Sequence, residues 1–226
     1  MSIFAPVQHV SKVSSNSAAS VVTGAITTTA SGSLFVAVVV AFANTIGAVT
    51  DSKANSWSTA QASTGTTNGF VAIFYTANAT GGASHTFTFT PTSNDFIGIS
   101  VFEITGASST PLSNHNGSVA NSTTHTSPSI TSGSAVSEVF IGGGPLSATG
   151  EGVPVLNSSL WYLGAAAAAT SVTEGIISAF RFVNVNITDS FSFTTSSARN
   201  EGVVIAGFKA ASAGGASEHS ATFFGG

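Results

Sequence analysis

The chain has 226 residues and 14 charged side chains, five Lys or Arg and nine Asp or Glu, for a formal net charge of −4. Five scattered cations cannot form the basic stripe that nucleic acid requires, and the absence of cysteine removes disulfides, thiolate zinc sites and cysteine nucleophiles. Charged residues make up 6% of the chain, against roughly a quarter in ordinary soluble domains, while 37 Ser and 29 Thr bring small hydroxyls; with 42% hydrophobic residues this is the composition of a folded chain rather than a disordered one.

Taken in order, residues 1–20 (MSIFAPVQHVSKVSSNSAAS) lack the basic start and continuous apolar stretch of a secretory signal. Residues 1–30 read as an N-terminal arm with strands expected at 7–13 and 21–28. The longest apolar run, LFVAVVVAFA at 34–43, is ten residues, half of the roughly twenty that a membrane helix needs, so a buried strand is expected and no membrane partner. GFVAIFYTAN at 69–78 and FIGISVFEIT at 96–105 are apolar or β-branched runs of strand length, and HTFTFTP at 85–91 alternates Phe87 and Phe89 with threonine, the period of a half-buried strand. A polar connector follows at 108–133. Strands are then expected at AVSEVFIGGG (135–144), GIISAFRFVNV (175–185), FSFTT (191–195) and GVVIAGFK (202–209), with the alanines at 165–169 read as a loop or a single turn. Residues 211–226 form a Gly/Ala/Ser-rich tail ending in Phe223 and Phe224, two residues expected to make assembly contacts because free exposure would leave them an aggregation hazard.

These segments repeat. A Gly-Ser pair, an apolar strand, a loop with one Trp and three further strands occur at about 32–108 and again at about 133–212, aligning Phe87 with Phe191, Phe102 with Phe208 and Trp57 with Trp161. The spacing is too long for a solenoid and points to a duplicated half-sandwich. Each half is able to form a small domain, or the two interleave into one eight-stranded sandwich; the thin core of a half favours the single sandwich over 31–210. The predicted fold class is all-β, a jelly-roll-like antiparallel β-sandwich built from two similar halves, with Phe87, Phe89, Phe102, Phe191, Phe193 and Phe208 facing inward.

The chemistry-bearing residues are sparse. Asp51 and Asn55 in DSKAN are turn formers, and one carboxylate is far from the six or so oxygens of a calcium site. His115 and His125 lie in the polar connector without HxH or HExxH spacing or accompanying acids, so surface loop histidines are expected and no metal or cofactor. No GxSxG elbow singles out a serine. Glu103 shares the parity of Ile97, Ile99 and Val101 in its strand, a place open to partial burial; its repeat counterpart Lys209 favours a structural ion pair, or plain exposure, over acid catalysis. Trp57 and Trp161 occupy equivalent places, which favours packing, with glycan stacking as the alternative role. No catalytic residue emerges, and no enzyme is expected.

Residues 33–108 resemble a jelly-roll-like domain of phage virion structural proteins that also occurs in bacterial surface proteins. The resemblance is carried by SLFVAVVV, VTDSKANSW, GFVAIFYTANATGGASHTFTFT and FIGISVFEITGAS, with a looser copy in the second half. It implies a non-enzymatic virion protein, a tailed-phage capsid decoration or fibre component made in the host cytoplasm, assembling as a homo-oligomer with other virion proteins. The alternative is a carbohydrate-binding adhesin or receptor-binding module recognising surface glycans.

Overall fold

The computed structural model describes residues 4–43, 46–63, 69–147, 155–158, 160–168 and 174–212, and no helix occurs among them. The first half contains β1 (Ala5–Val13), β2 (Val21–Val22), β3 (Ser31–Ala41), β4 (Ala48–Asp51), β5 (Ser58–Ala62), β6 (Phe70–Thr80), β7 (Phe87–Thr90) and β8 (Ile97–Thr105). The second contains β9 (Ala107–Thr126), β10 (Ile130–Thr131), β11 (Glu138–Ser147), β12 (Val155–Leu156), β13 (Tyr162–Ala168), β14 (Glu174–Val183), β15 (Thr188–Asp189) and β16 (Ser192–Ala210). Gly106, at φ +70°, makes the left-handed turn between them, a conformation that costs a side-chain-bearing residue.

Each half folds the same way. The first forms a large antiparallel sheet in the order β1-β8-β3-β6-β5 and a small sheet β2-β7-β4; the second repeats the large sheet as β9-β16-β11-β14-β13. Its small layer comes from the far ends of β9 and β16, with β12 and the β10–β15 pair. The strands of each large sheet come from one half alone. The expected single interleaved sandwich is therefore corrected: each half is a two-sheet sandwich, and the large sheets of the two halves stack on one another. The 1–30 arm is likewise no appendage, since β1 is the edge strand of the first large sheet, and the 108–133 connector is mostly β9, the matching edge strand of the second. The strands expected at 7–13 and 21–28 correspond to β1 and β2, whereas hydrophobic periodicity missed β9, a polar edge, and β10, β12 and β15, which have two residues each.

The packing explains the sequence pattern. β3 is buried on both faces, hence its unbroken apolar run. Leu34, Val36, Val38 and Val40 point at the other half, where they meet Val139, Ile141, Val204 and Phe208 in a core shared by the two large sheets. Phe35, Ala37 and Val39 point the other way, onto Phe87 and Phe89 of the small sheet. In the second half Phe140 turns to Phe191 and Phe193. All six predicted core phenylalanines are fully buried. The alanines of 165–168 are strand, not loop, because pairing with β14 outweighs their helical propensity.

Candidate binding surface

The polar residues singled out in the sequence are occupied inside the fold. Asp51 closes its turn by accepting the backbone N–H of Lys53 at 2.8 Å and the side chain of Asn55, and it also takes the indole N–H of Trp57 at 2.8 Å. In the second half the indole N–H of Trp161 reaches Asp189 at 3.2 Å, and Arg181 pairs with the same carboxylate. Each Trp ring meets the equivalent phenylalanine, Trp57 edge-on to Phe87 at 6.1 Å and Trp161 against Phe191 at 5.1 Å. Trp161 is only 6% exposed and Trp57 half-buried, so both are packing residues and Trp161 offers no platform for a sugar. Phe223 and Phe224 lie outside the described residues.

Three expectations need correction. Glu103 accepts the N–H of Thr29 and the hydroxyl of Ser33, both at 2.8 Å, rather than facing Lys209. Strand register also gives a different correspondence between the halves: Phe102 pairs with Val36, whereas Ile141, which stands where Val36 does, pairs with Ala206. Phe102 thus matches Ala206, and Glu103 matches Gly207. Finally, His125 is no loop residue. It is fully buried, stacked on Phe193 at 5.1 Å and 3.5 Å from Glu201, much as His85 stacks on Phe87 at 4.3 Å and lies 3.4 Å from Asp51. Burial pushes the pKa of both imidazoles below the ordinary value, for His85 against the opposing pull of Asp51. Among the described residues no group of three or more His, Asp or Glu is placed to hold a metal.

What the sequence did not show lies where the two halves meet at their edges. There β1 runs beside β13, and, related by the duplication, β9 runs beside β5. Both junctions carry the same backbone irregularities, an extra residue after Pro6 in β1 and at Gly164 in β13, matched after Leu112 in β9 and at Ala60 in β5. His9 and His115 occupy equivalent places, opposite Phe102 and Ala206.

The side chains differ sharply. At the β9–β5 junction His115 donates to Gln61 across the gap at 2.7 Å, with Ser58 and Thr59 outside. At the β1–β13 junction Gln61 is replaced by Ala165, and His9 turns inward to Ser100 at 2.8 Å, which in turn meets Ser178 at 2.7 Å. Gly164 lets the Phe102 ring lie where a Cβ would be 2.3 Å away. The result is an open cavity of about 280 Å³, just under the roughly 300–1,000 Å³ of small-molecule sites. Beside it an aromatic ladder climbs from the shared core to solvent: Phe102 to Phe180 at 5.9 Å, Phe180 to Tyr162 at 5.3 Å and to Phe182 at 5.6 Å. Val7, Tyr162, Leu163 and Phe182 are 49%, 60%, 47% and 45% exposed; their counterparts are Ser113, Ser58, Thr59 and Ala77. Since one junction of the same fold manages with small or polar residues, the apolar surface of the other is not a folding requirement.

Comparison of the chain with protein-family models, with curated proteins and with solved structures returns no match.

Proposed function

We propose that this chain is a non-enzymatic structural protein of a virus particle, a tailed-phage capsid decoration or fibre component that assembles symmetrically with copies of itself. The observation that carries the non-enzymatic part is the state of its acids. Asp51, Asp95, Glu103, Glu138, Asp189 and Glu201, the six whose side chains are described, are all buried or half-buried. Asp95 holds the backbone N–H of Ala43, and Glu138 that of Gly133. Asp51, Asp95, Glu103, Glu138 and Asp189, committed to backbone or indole N–H groups, are structural clamps rather than acids poised at a cleft. The nested pairing of β1 with β8, β2 with β7 and β3 with β6 supports a jelly-roll-like reading of each half, in line with the resemblance to virion proteins. The charge-poor surface with its exposed aromatic ladder suits permanent contact with a neighbour, since few ions need desolvating. The test is protein composition of purified virus particles from the source: a fixed stoichiometric copy number is expected, and absence from the particles ends the proposal.

The alternative, a carbohydrate-binding adhesin, is favoured by one feature, the exposed Tyr162 ring stacked on Phe180, which itself lines the cavity. A glycan array read with the wild-type chain and with Tyr162→Ser separates the two: signal lost in the variant supports the adhesin, and a blank array removes it.

A further inference from the structure

We infer that the outer edge of β13, with the Tyr162–Phe180–Phe182 ladder beside it, is the surface on which a second copy of this chain docks, β13 pairing antiparallel with β13 about a two-fold axis. This deepens the assembly reading above and rests on it. Four observations lead to it.

The first is the free edge. β13 ends the second large sheet, and among the described residues no strand pairs with its outer side. Exposed edges are usually guarded by charge or proline, as β1 is by Pro6 and Lys12 and β9 by Pro111. The sequence of β13, YLGAAAA, has neither. The second is the contrast with β5, the same edge of the other half. It is equally uncharged, but it presents Ser58 and Thr59 where β13 presents Tyr162 and Leu163. The third is charge. A two-fold axis brings each surface against its own copy, so any charge in it would meet its like. Val7, Tyr162, Leu163 and Phe182 include none, and the nearby Arg181 is drawn to Asp189. The fourth is continuity: the ladder extends the apolar core already formed between the halves, through Phe102 and Phe180. Backbone pairing would supply register and affinity, and the aromatics the buried area.

The experiment is sedimentation velocity across a concentration series of the full chain and three variants. Tyr162→Ser with Leu163→Thr, and separately Phe182→Ala, install the residues that the other half carries at these places, so the fold has already accepted them; thermal melts confirm that both remain folded. Thr59→Ala at the other junction is the control. The expected result is a wild-type dimer whose dissociation constant rises more than tenfold in the double variant, rises in Phe182→Ala, and is unchanged in the control. A wild-type oligomer that the double variant leaves intact overturns the docking surface and leaves self-assembly standing. A wild-type chain that stays monomeric at the highest concentration overturns both.

Discussion

In the first half the backbone N–H of Thr29 is held by Glu103, reaching from β8; in the second the equivalent N–H of Gly133 is held by Glu138, reaching from β11. The two acids come from different strands and different sequence positions. Ser33 stands where Glu138 does, and Gly207 stands where Glu103 does, its missing side chain leaving room for the Glu138 carboxylate, 2.6 Å from where a Cβ would sit. Duplication has kept the carboxylate and not the residue that bears it, because the fold's requirement is an acceptor at a buried N–H. The edge junctions teach the opposite lesson. There the backbone irregularities are kept and the side chains have parted, apolar at β13 and hydroxylated at β5. A difference that the fold does not need is where an outside partner is to be sought.

The comparison can be tested at descending scale. Phe87→Ala and Phe191→Ala remove equivalent fully buried rings and should each cost about 3–5 kcal/mol in chemical denaturation. Clearly unequal losses would mean that the halves are not packed alike. Glu138→Gln should cost about 1–3 kcal/mol through its weakened hold on Gly133 and Ser113. Combining Glu138→Ser with Gly207→Glu recreates the first-half arrangement and should recover part of the stability lost in Glu138→Ser alone; no recovery would show that the two clamps are not interchangeable.

Trp57→Phe and Trp161→Phe each delete an indole N–H bond to a carboxylate. Losses of about 1–3 kcal/mol are expected, the larger at Trp57, because the Asp51 side chain it leaves is wholly buried whereas Asp189 keeps Arg181 and is partly solvated. The buried histidines give a pH signature. With both folded pKa values below the ordinary 6.5, the unfolded chain takes up protons that the folded chain refuses. Their contribution is therefore complete above that pH and declines as the pH falls below it, so the urea midpoint should be lower at about pH 5.5 than at about pH 7.5. An unchanged midpoint would contradict the burial of His85 and His125. The smallest effect concerns the monomer itself: Tyr162→Ser should alter its stability by no more than about 0.5 kcal/mol, since the side chain is largely exposed.

The sequence by itself determined the strands with strong apolar character, the six inward phenylalanines, the duplication and the packing role of the tryptophans. Each of these is a local signal: a strand buried on both faces, such as β3, must be continuously apolar, and a half-buried one, such as β7, must alternate. Tertiary structure decided the rest. The polar edge strand β9 and two-residue strands such as β10 owe their existence to pairing, which leaves no trace in hydrophobic periodicity. Which Phe matches which across the duplication depended on register, because Phe102 and Phe208 sit at the same parity but two residues apart in their pairing with β3 and β11. The exchange of Glu103 for Glu138 was hidden for the same reason: adjacent strands bring to one buried N–H two acids that no spacing along the chain connects. The aromatic edge at β13 was invisible too, since the sequence placed Trp161 and the alanines after it in a loop, and only pairing with β14 set Tyr162 beside Phe180.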